Sequence, residues 1–387
     1  MKEILIITNY YPPEIGAASN RIFQMANGLR ELDFNVSVVT PLPNYPTGEI
    51  FEQYKGKFSF NVIENGINVH RLWIFASNSK SKIHRFFAMI SYSLSLLWFF
   101  AFNKIPKTVI VQSPPLLVAF TCMLFLKSSK RKLILNVSDL WPSAGLELGV
   151  FKENYSYNML KCIEKFNYKR ANLVLGQSQE ILNHVASTVH DKELLLYRNY
   201  PDFLPPEITR QENISGKIKL VYAGLLGVAQ GILKLCENLD YSHIEFHIYG
   251  SGAAEEQILD FIESNSHLPI VFHGRVTRDT LHKELLGYDI AIIPLLNRIY
   301  GSVPSKIFEY AQLGLPMIYC GGGEGEYLIR NNNLGWVVEV GNYQELNSLL
   351  KVINRGDLGQ GLRNKIRQEA MESFNFSKQL DELKKKL

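Results

Sequence analysis

The sequence of 387 residues is poor in cysteine, carries no strong excess of one charge and lacks the common metal-binding patterns. Cys122, Cys162, Cys236 and Cys320 stand far apart inside apolar runs, which points away from a zinc site or a disulfide framework and toward a reducing cytoplasm. There is no Asp-x-Asp pair to hold a divalent ion against a diphosphate, and the histidines are scattered, so neither a metal nor a cofactor is expected. The formal net charge of +4 is mild and no Arg/Lys stripe with interleaved aromatics occurs, so nucleic acid is not an expected partner. Nor is a signal peptide expected from Ile4-Leu5-Ile6-Ile7, a short apolar segment that runs at once into a Pro-bearing turn and reads as a first buried strand.

What is present describes a folded α/β protein. Hydrophobic residues make up 46% and charged residues 20%, and the length exceeds what one core usually supports. Short β-branched runs alternate with helical patterns, as in parallel sheets covered on both faces. Strands are expected at 3–8, 35–40, 68–72, 108–112, 132–137 and 173–176, and the first helix shows Ile22, Met25, Ala26, Leu29 and Leu32 at helical spacing. Pro201, Pro205 and Pro206 mark a linker over 199–216, after which a second series is expected at 218–223, 244–249, 270–273, 290–294, 316–320 and 335–338. The resulting division is a first domain at 1–198, a linker at 199–216, a second domain at 217–365, and a terminal helix at 366–387 packing back toward the first domain.

Several turns carry candidate chemistry. In the turn 9–18, the small residues Gly16 and Ala17 let amides approach an anion at a helix N-terminus; a plain tight turn is the alternative. The second domain opens on Gly224 and Gly227, its next strand ends on Gly250, and the one after leads to Gly274, Arg275 and Val276. Three such turns at successive strand ends would line one crevice, with amides offered to a phosphate. A helix beginning near Pro304 would aim Ser305 and Lys306 at a diphosphate and place Glu309 one turn on, where a carboxylate can accept from a ribose diol; a capped, solvated helix face is the bland reading. The run Gly321 to Glu326 offers Gly322, Gly323 and Glu324 to sugar hydroxyls, or is a flexible turn.

The turn Tyr11-x-Pro13-x-x-Gly16, Ser113-Pro114-Pro115, Ser138-Asp139-Leu140-Trp141-Pro142, and Pro304-Ser305-Lys306 with Glu309, Gly314 and Pro316 together resemble glycosyltransferase family 4 of the GT-B fold. The likeness is greatest to bacterial members that build O-antigen and capsular polysaccharides, among them N-acetylfucosamine-transferase-like enzymes, and it spans nearly the whole chain. It implies two Rossmann-like domains facing each other across a cleft and retention at the anomeric carbon. It also implies that Glu309 holds the donor ribose, that Ser305 and Lys306 lie near the diphosphate, that the backbone at Arg275 and Val276 reads the nucleobase, and that Gly16 and Ala17 approach the donor phosphate. Three positions depart from the pattern: Gly301 stands for a usual Glu, Ser138 for a usual His, and Gln230 for a usual Lys. Lys306, or else Arg298, is then the candidate cation for the leaving diphosphate. Asp139 either positions or deprotonates the acceptor, or caps the Trp141-Pro142 turn.

The expected reaction moves a hexose or N-acetyl(deoxy)hexosamine from a UDP-sugar to a polyprenyl-diphosphate-linked glycan in bacterial surface polysaccharide synthesis. A UDP-sugar epimerase of the same fold and a non-catalytic nucleotide-sugar-binding protein are the alternatives. The segment 83–102 suits docking on the inner face of the cytoplasmic membrane, because 86–102 is uncharged and flanked by Lys80, Lys82, Arg85, Lys104 and Lys107. As a helix, 86–102 measures about 26 Å, short of the roughly 30 Å hydrocarbon layer, so it would lie in the interface rather than span. A buried core helix is the competing reading.

Overall fold

In a computed structural model of the chain, the residues described are 2–45, 47–77, 82–147, 149, 152–207, 216–227 and 230–387. Lys80, residues 208–215 of the expected linker, Val228, Ala229 and the side chains of Lys82 and Arg85 lie outside them. The chain forms two compact units, Met1–Asn199 with Ile299–Ser302 and Phe376–Leu387, and Tyr200–Arg298 with Val303–Asn375.

The first unit contains β1 (Glu3–Ile7), α1 (Ala17–Glu31), β2 (Asn35–Pro41), β3 (Ser59–Glu64), β4 (Ile67–Leu72), α2 (Lys82–Phe102), β5 (Thr108–Ser113), α3 (Leu116–Phe125), β6 (Lys132–Val137), α4 (Ser143–Glu147), α5 (Tyr155–Arg170), β7 (Leu173–Gly176), α6 (Gln179–Thr188) and β8 (Glu193–Leu196). Its eight-stranded sheet runs β3-β4-β2-β1-β5-β6-β7-β8 and is parallel except where β3 pairs antiparallel with β4. The central strands read as unbroken apolar runs because helices cover both faces, burying Leu5, Ile7, Val109, Val111, Leu133 and Leu135. β3 and β8 are strands that the sequence pattern does not announce. Both are sheet edges, and β3 alternates exposed and half-buried residues.

Helix α2 turns its serines inward. Ser91 Oγ accepts from the Phe75 amide at 2.8 Å and Ser95 Oγ donates to the Trp73 carbonyl at 2.8 Å, so the hydroxyls satisfy the chain leaving β4. Tyr92, Leu96 and Phe99 join the core, while Phe86, Phe87, Leu94, Trp98 and Phe102 are exposed. The two competing readings of this segment each describe one side of it. Phe99, which the docking reading would expose, is a core residue. Among the described residues no helix is long and apolar enough to cross a membrane. Cys162, expected inside an apolar run, is exposed on α5.

The second unit contains β9 (Ile218–Ala223), α7 (Ile232–Asn238), β10 (Ile244–Tyr249), α8 (Glu255–Ser264), β11 (Ile270–Gly274), α9 (Arg278–Leu285), β12 (Ile290–Pro294), α10 (Lys306–Gln312), β13 (Met317–Cys320), α11 (Glu324–Asn331), β14 (Gly335–Val338), α12 (Tyr343–Val352) and α13 (Gln360–Ser373). Its strands run β11-β10-β9-β12-β13-β14, all parallel, so the winding reverses between β9 and β12. Ligands of open α/β sheets bind beyond the strand ends at such a reversal. A last helix, α14 (Phe376–Lys385), belongs to the first unit, where Leu380 and Phe376 lie over Gly28 of α1; a β-carbon at Gly28 would sit 2.5 Å from Leu380.

Candidate functional site

The glycine turns of the second unit meet at the ends of β9, β10 and β11. A β-carbon on Gly250, whose φ is +135°, would fall 1.8 Å from the Gly224 carbonyl, and one on Gly224 would fall 2.1 Å from Lys306 Nζ. Glycine is therefore required for strand ends to close on one another and for Lys306 to reach them. Their amides are not the phosphate donors that the sequence suggests. Gly224 N–H donates to the Tyr249 carbonyl at 3.0 Å and Gly250 N–H to the Gly274 carbonyl at 2.8 Å, extending the sheet ladder. Gly227 lies beside Gln230, whose Oε1 is buried without a hydrogen-bond partner among the described residues.

Helix α10 carries the most chemistry. It spans only seven residues and starts at Lys306, with Ser305 in helical conformation just before it. The Ile307 and Phe308 amides donate to the Pro304 and Ser305 carbonyls, so the first turn engages its own amides. Gly314, with φ +67°, ends the helix by letting the Leu315 amide reach back to the Tyr310 carbonyl at 2.9 Å. Lys306 is half-buried with Nζ 5.4 Å from the Tyr222 ring centre, and burial lowers its pKa while Glu309 partly restores it.

Glu309 has partners that the sequence did not disclose. His282 Nε2 donates to its Oε1 at 2.7 Å and Arg278 Nε donates to the same oxygen at 3.2 Å. Burial pushes the Glu309 carboxyl up, but the His282 hydrogen bond and the charges of Arg278, His282 and Lys306 outweigh it and hold the group below the ordinary carboxylate value. Helix α9 sets this up: Thr277 caps it, accepting from the Thr280 amide, and Leu281 and Leu285 face the core beside His282. That amphipathic pattern was the one available signal, since it turns His282 inward. The Phe203 ring lies tilted against the imidazole with ring centres 4.1 Å apart.

Among the remaining candidates, Arg275 is exposed and Val276 packs on the core of the second unit. Gly323, with φ +72°, precedes α11, and a β-carbon there would lie 2.6 Å from Arg298 Nε, so Arg298 and the Gly322-Gly323 turn are neighbours. Glu324 is buried at the first position of α11. The histidines are less scattered than their spacing suggests. His247 Nδ1 and His273 Nε2 lie 3.0 Å apart across β10 and β11, whereas His243 and His247, four apart, fall at a strand and form no helical pair. Among the described residues no three His, Cys, Asp or Glu side chains gather as a metal site.

In the first unit, Gly16 (φ 167°) is extended backbone that any residue adopts, and α1 starts at Ala17. The turn before it is fixed by buried Glu14, whose carboxylate accepts from the amides of Tyr11, Asn44 and Tyr45. Asp139 follows β6 beside a buried polar chain: Arg21 donates to Asn136, Gln177 and the Tyr197 carbonyl, Asn136 donates to Gln112, and Gln112 donates to Ser138 Oγ at 2.8 Å. Ser138 Oγ lies 3.5 Å from Asp139 Oδ2. Burial pushes the Asp139 carboxyl up to about 6, against the pull of Arg21 and Ser138. Its carbonyl accepts from the Trp141 amide, so the turn is closed by backbone rather than by the side chain.

Position 301 shows why a glutamate is absent there. Gly301 has φ +83°, its amide donates to Glu180 at 2.8 Å, and its carbonyl accepts from Ser178 Oγ at 2.8 Å. A β-carbon would sit 3.0 Å from Ile181 and 3.1 Å from Leu140. The site therefore contains one carboxylate on α10 and no counterpart eight residues earlier.

Residues 216–353 match the family described as Glycosyl transferases group 1. The match runs from just before β9 to just after α12. Lys306, Glu309, His282 and the glycine turns all lie within it. No curated protein matches the sequence. Among solved structures, the sucrose-phosphate synthase of Thermosynechococcus elongatus is similar with a TM-score of 0.76 at 11% identity, over 100% of this chain and 98% of that one. Anabaena HepE in complex with UDP has a TM-score of 0.68 at 13% identity, over 100% and 99%. The lipopolysaccharide outer core galactosyltransferase WaaB has a TM-score of 0.62 at 13% identity, over 100% of both chains. The fold is GT-B, two Rossmann-like domains.

Proposed function

We propose that the chain is a retaining glycosyltransferase that moves a hexose or N-acetyl(deoxy)hexosamine from a UDP-sugar to a polyprenyl-diphosphate-linked glycan in bacterial surface polysaccharide synthesis. The observation that carries this reading is the pairing on α10 of an oriented carboxylate, Glu309, with a half-buried ammonium, Lys306, beside the strand ends of a group 1 domain. Glu309 accepts from the donor ribose, and Arg275 and Val276 border the base. As the anomeric carbon–oxygen bond to UDP breaks and the bond to the acceptor oxygen forms, charge grows on the diphosphate; Lys306, with Ser305 just before it, stabilises that charge without a metal. Gly224, Gly227 and Gly250 admit the donor closely. Gly322, Gly323 and Glu324 hold the sugar, with Arg298 beside them.

Asp139 takes the proton of the acceptor hydroxyl. The exposed face of α2, with no acidic residue on the helix and Lys104 and Lys107 beyond its end, rests on the inner face of the cytoplasmic membrane, where a lipid-linked acceptor is presented. HepE, similar in fold, holds UDP, which favours that nucleotide as the first to try.

Product analysis with a panel of UDP-sugars, with and without a polyprenyl-diphosphate glycan, tests the reading. Transfer that depends on the acceptor supports it. A UDP-sugar converted to its epimer without acceptor identifies an epimerase, and binding without turnover identifies a nucleotide-sugar-binding protein; either outcome sinks the proposal.

A further inference from the structure

The carboxylate of Glu309 is held asymmetrically. His282 Nε2 and Arg278 Nε both donate to Oε1, at 2.7 and 3.2 Å, and Oε2 has no protein donor among the described residues. The two donors differ in kind. His282 is buried, with 5% of its surface exposed, whereas the Arg278 side chain is exposed to solvent. A buried donor whose ring cannot turn fixes an acceptor far better than a solvated cation does.

The imidazole is fixed in two ways. Its backbone sits on α9 between core residues Leu281 and Leu285, and the Phe203 ring lies against its face at 4.1 Å with an interplanar angle of 34°. The same Phe203 ring lies 5.5 Å from the Arg278 guanidinium, so one aromatic side chain from the segment that precedes β9 touches both groups that grip Oε1. A carboxylate pinned at one oxygen and open at the other presents that second oxygen in a single direction.

We propose that His282, clamped by Phe203, is the positioning residue that aims Glu309 at the two hydroxyls of the donor ribose. This rests on the donor reading given above. It makes a prediction that a general structural role does not: losing the His282 donor weakens recognition of the ribose hydroxyls and leaves recognition of the base and diphosphate alone.

The experiment is calorimetric titration with UDP and with 2′,3′-dideoxy-UDP, reading the ratio of the two affinities. Wild type prefers UDP by about tenfold or more, as hydrogen bonds to a charged group require. Glu309→Ala abolishes the preference. His282→Phe keeps the ring volume but has no donor, and its ratio falls at least about threefold, with dideoxy-UDP affinity unchanged. His282→Gln, which restores an amide donor, stays within about twofold of wild type. Phe203→Leu keeps the donor but frees the imidazole; its ratio falls by less than that of His282→Phe, and it stands in if the latter does not fold.

A folded His282→Phe or Phe203→Leu protein that keeps the wild-type ratio, while Glu309→Ala has lost it, overturns the positioning role and leaves the donor reading standing. Equal loss of both nucleotides in His282→Phe also overturns it, because that is the signature of a damaged fold. Wild type that binds UDP no better than the dideoxy compound, or not at all, overturns the donor reading and this inference with it.

Discussion

Ser95 and Trp73 are joined by a hydrogen bond of 2.8 Å from the serine hydroxyl to the backbone carbonyl. With its neighbour from the Phe75 amide to Ser91, it turns Ser91 and Ser95 inward and leaves Leu94 and Trp98 about three-fifths exposed. Replacing Trp98 with Ser should lower liposome flotation with little change in melting temperature. Ser95→Ala should do the opposite, since losing a hydrogen bond of this kind costs about 0.5 to 1.5 kcal/mol and lowers the melting temperature by a few degrees. Flotation lost in Ser95→Ala and kept in Trp98→Ser would retire the docking surface.

The elements that could be read from sequence are those whose signal is local. Buried parallel strands such as Lys132–Val137 and Ile218–Ala223 are bounded by turns, and their ends match the expected 132–137 and 218–223. β3 and β8 escaped because an edge strand needs no continuous apolar run. The site was legible only where one segment carried it, as Ser305, Lys306 and Glu309 do. His282 lies 27 residues before Glu309, and Phe203 is farther still, so their meeting depends on packing that no spacing encodes. The glycine turns were visible, but their use was not: whether a glycine offers its amide or merely yields space depends on what approaches it, and here the Gly224 amide is taken by Tyr249.

Glu309→Ala should lower UDP affinity by about ten- to a hundredfold while the protein stays folded, because it removes charged hydrogen bonds to ribose and no core packing. The cost to the fold is that of leaving the buried His282 donor without its acceptor, about 1 to 3 kcal/mol. Glu309→Gln, which keeps an oxygen for His282, should retain more activity. Unchanged UDP affinity of Glu309→Ala by calorimetry would remove α10 from the donor site.

Gly250→Ala and Gly224→Ala should separate fold from function. At Gly250 the added carbon meets the Gly224 backbone carbonyl at 1.8 Å, which cannot move without breaking the strand ends, so a large drop in melting temperature is expected. At Gly224 it meets the end of the Lys306 side chain at 2.1 Å, which can swing away. The second variant should therefore melt closer to wild type and lose turnover. Equal melting temperatures in the two variants would contradict this division.

Chelation should leave turnover intact. In the proposed reaction Lys306 meets the charge on the departing diphosphate, and among the described residues no cluster of three ligands is available for an ion. Activity abolished by EDTA and restored by magnesium or manganese would sink metal independence; a modest stimulation by either ion would not.

Asp139 gives the pH dependence. Burial pushes its carboxyl up to about 6, with the Arg21 charge and the Ser138 hydroxyl pulling it back, so the group loses its proton near that pH. If it accepts the proton of the acceptor hydroxyl, kcat/KM falls as pH drops through about 6 and is level above it. Ser138→Ala removes a hydroxyl that favours the charged form, so the acid limb should move to higher pH. Stability runs the other way. A carboxyl whose folded pKa lies above the unfolded value, about 3.9, stabilises the fold below the unfolded pKa, and that contribution is lost as pH rises through the folded one. The advantage in melting temperature of Asp139→Asn, neutral at every pH, over wild type should therefore grow as pH rises from about 4 to about 6, the interval that separates the two pKa values, and hold above it. The same variant should lose most turnover, whereas a residue that only closes the turn before Trp141 would tolerate Asn, which favours such turns as well as Asp does. An Asp139→Asn enzyme with wild-type turnover and an unchanged acid limb would leave the acceptor's proton to another group.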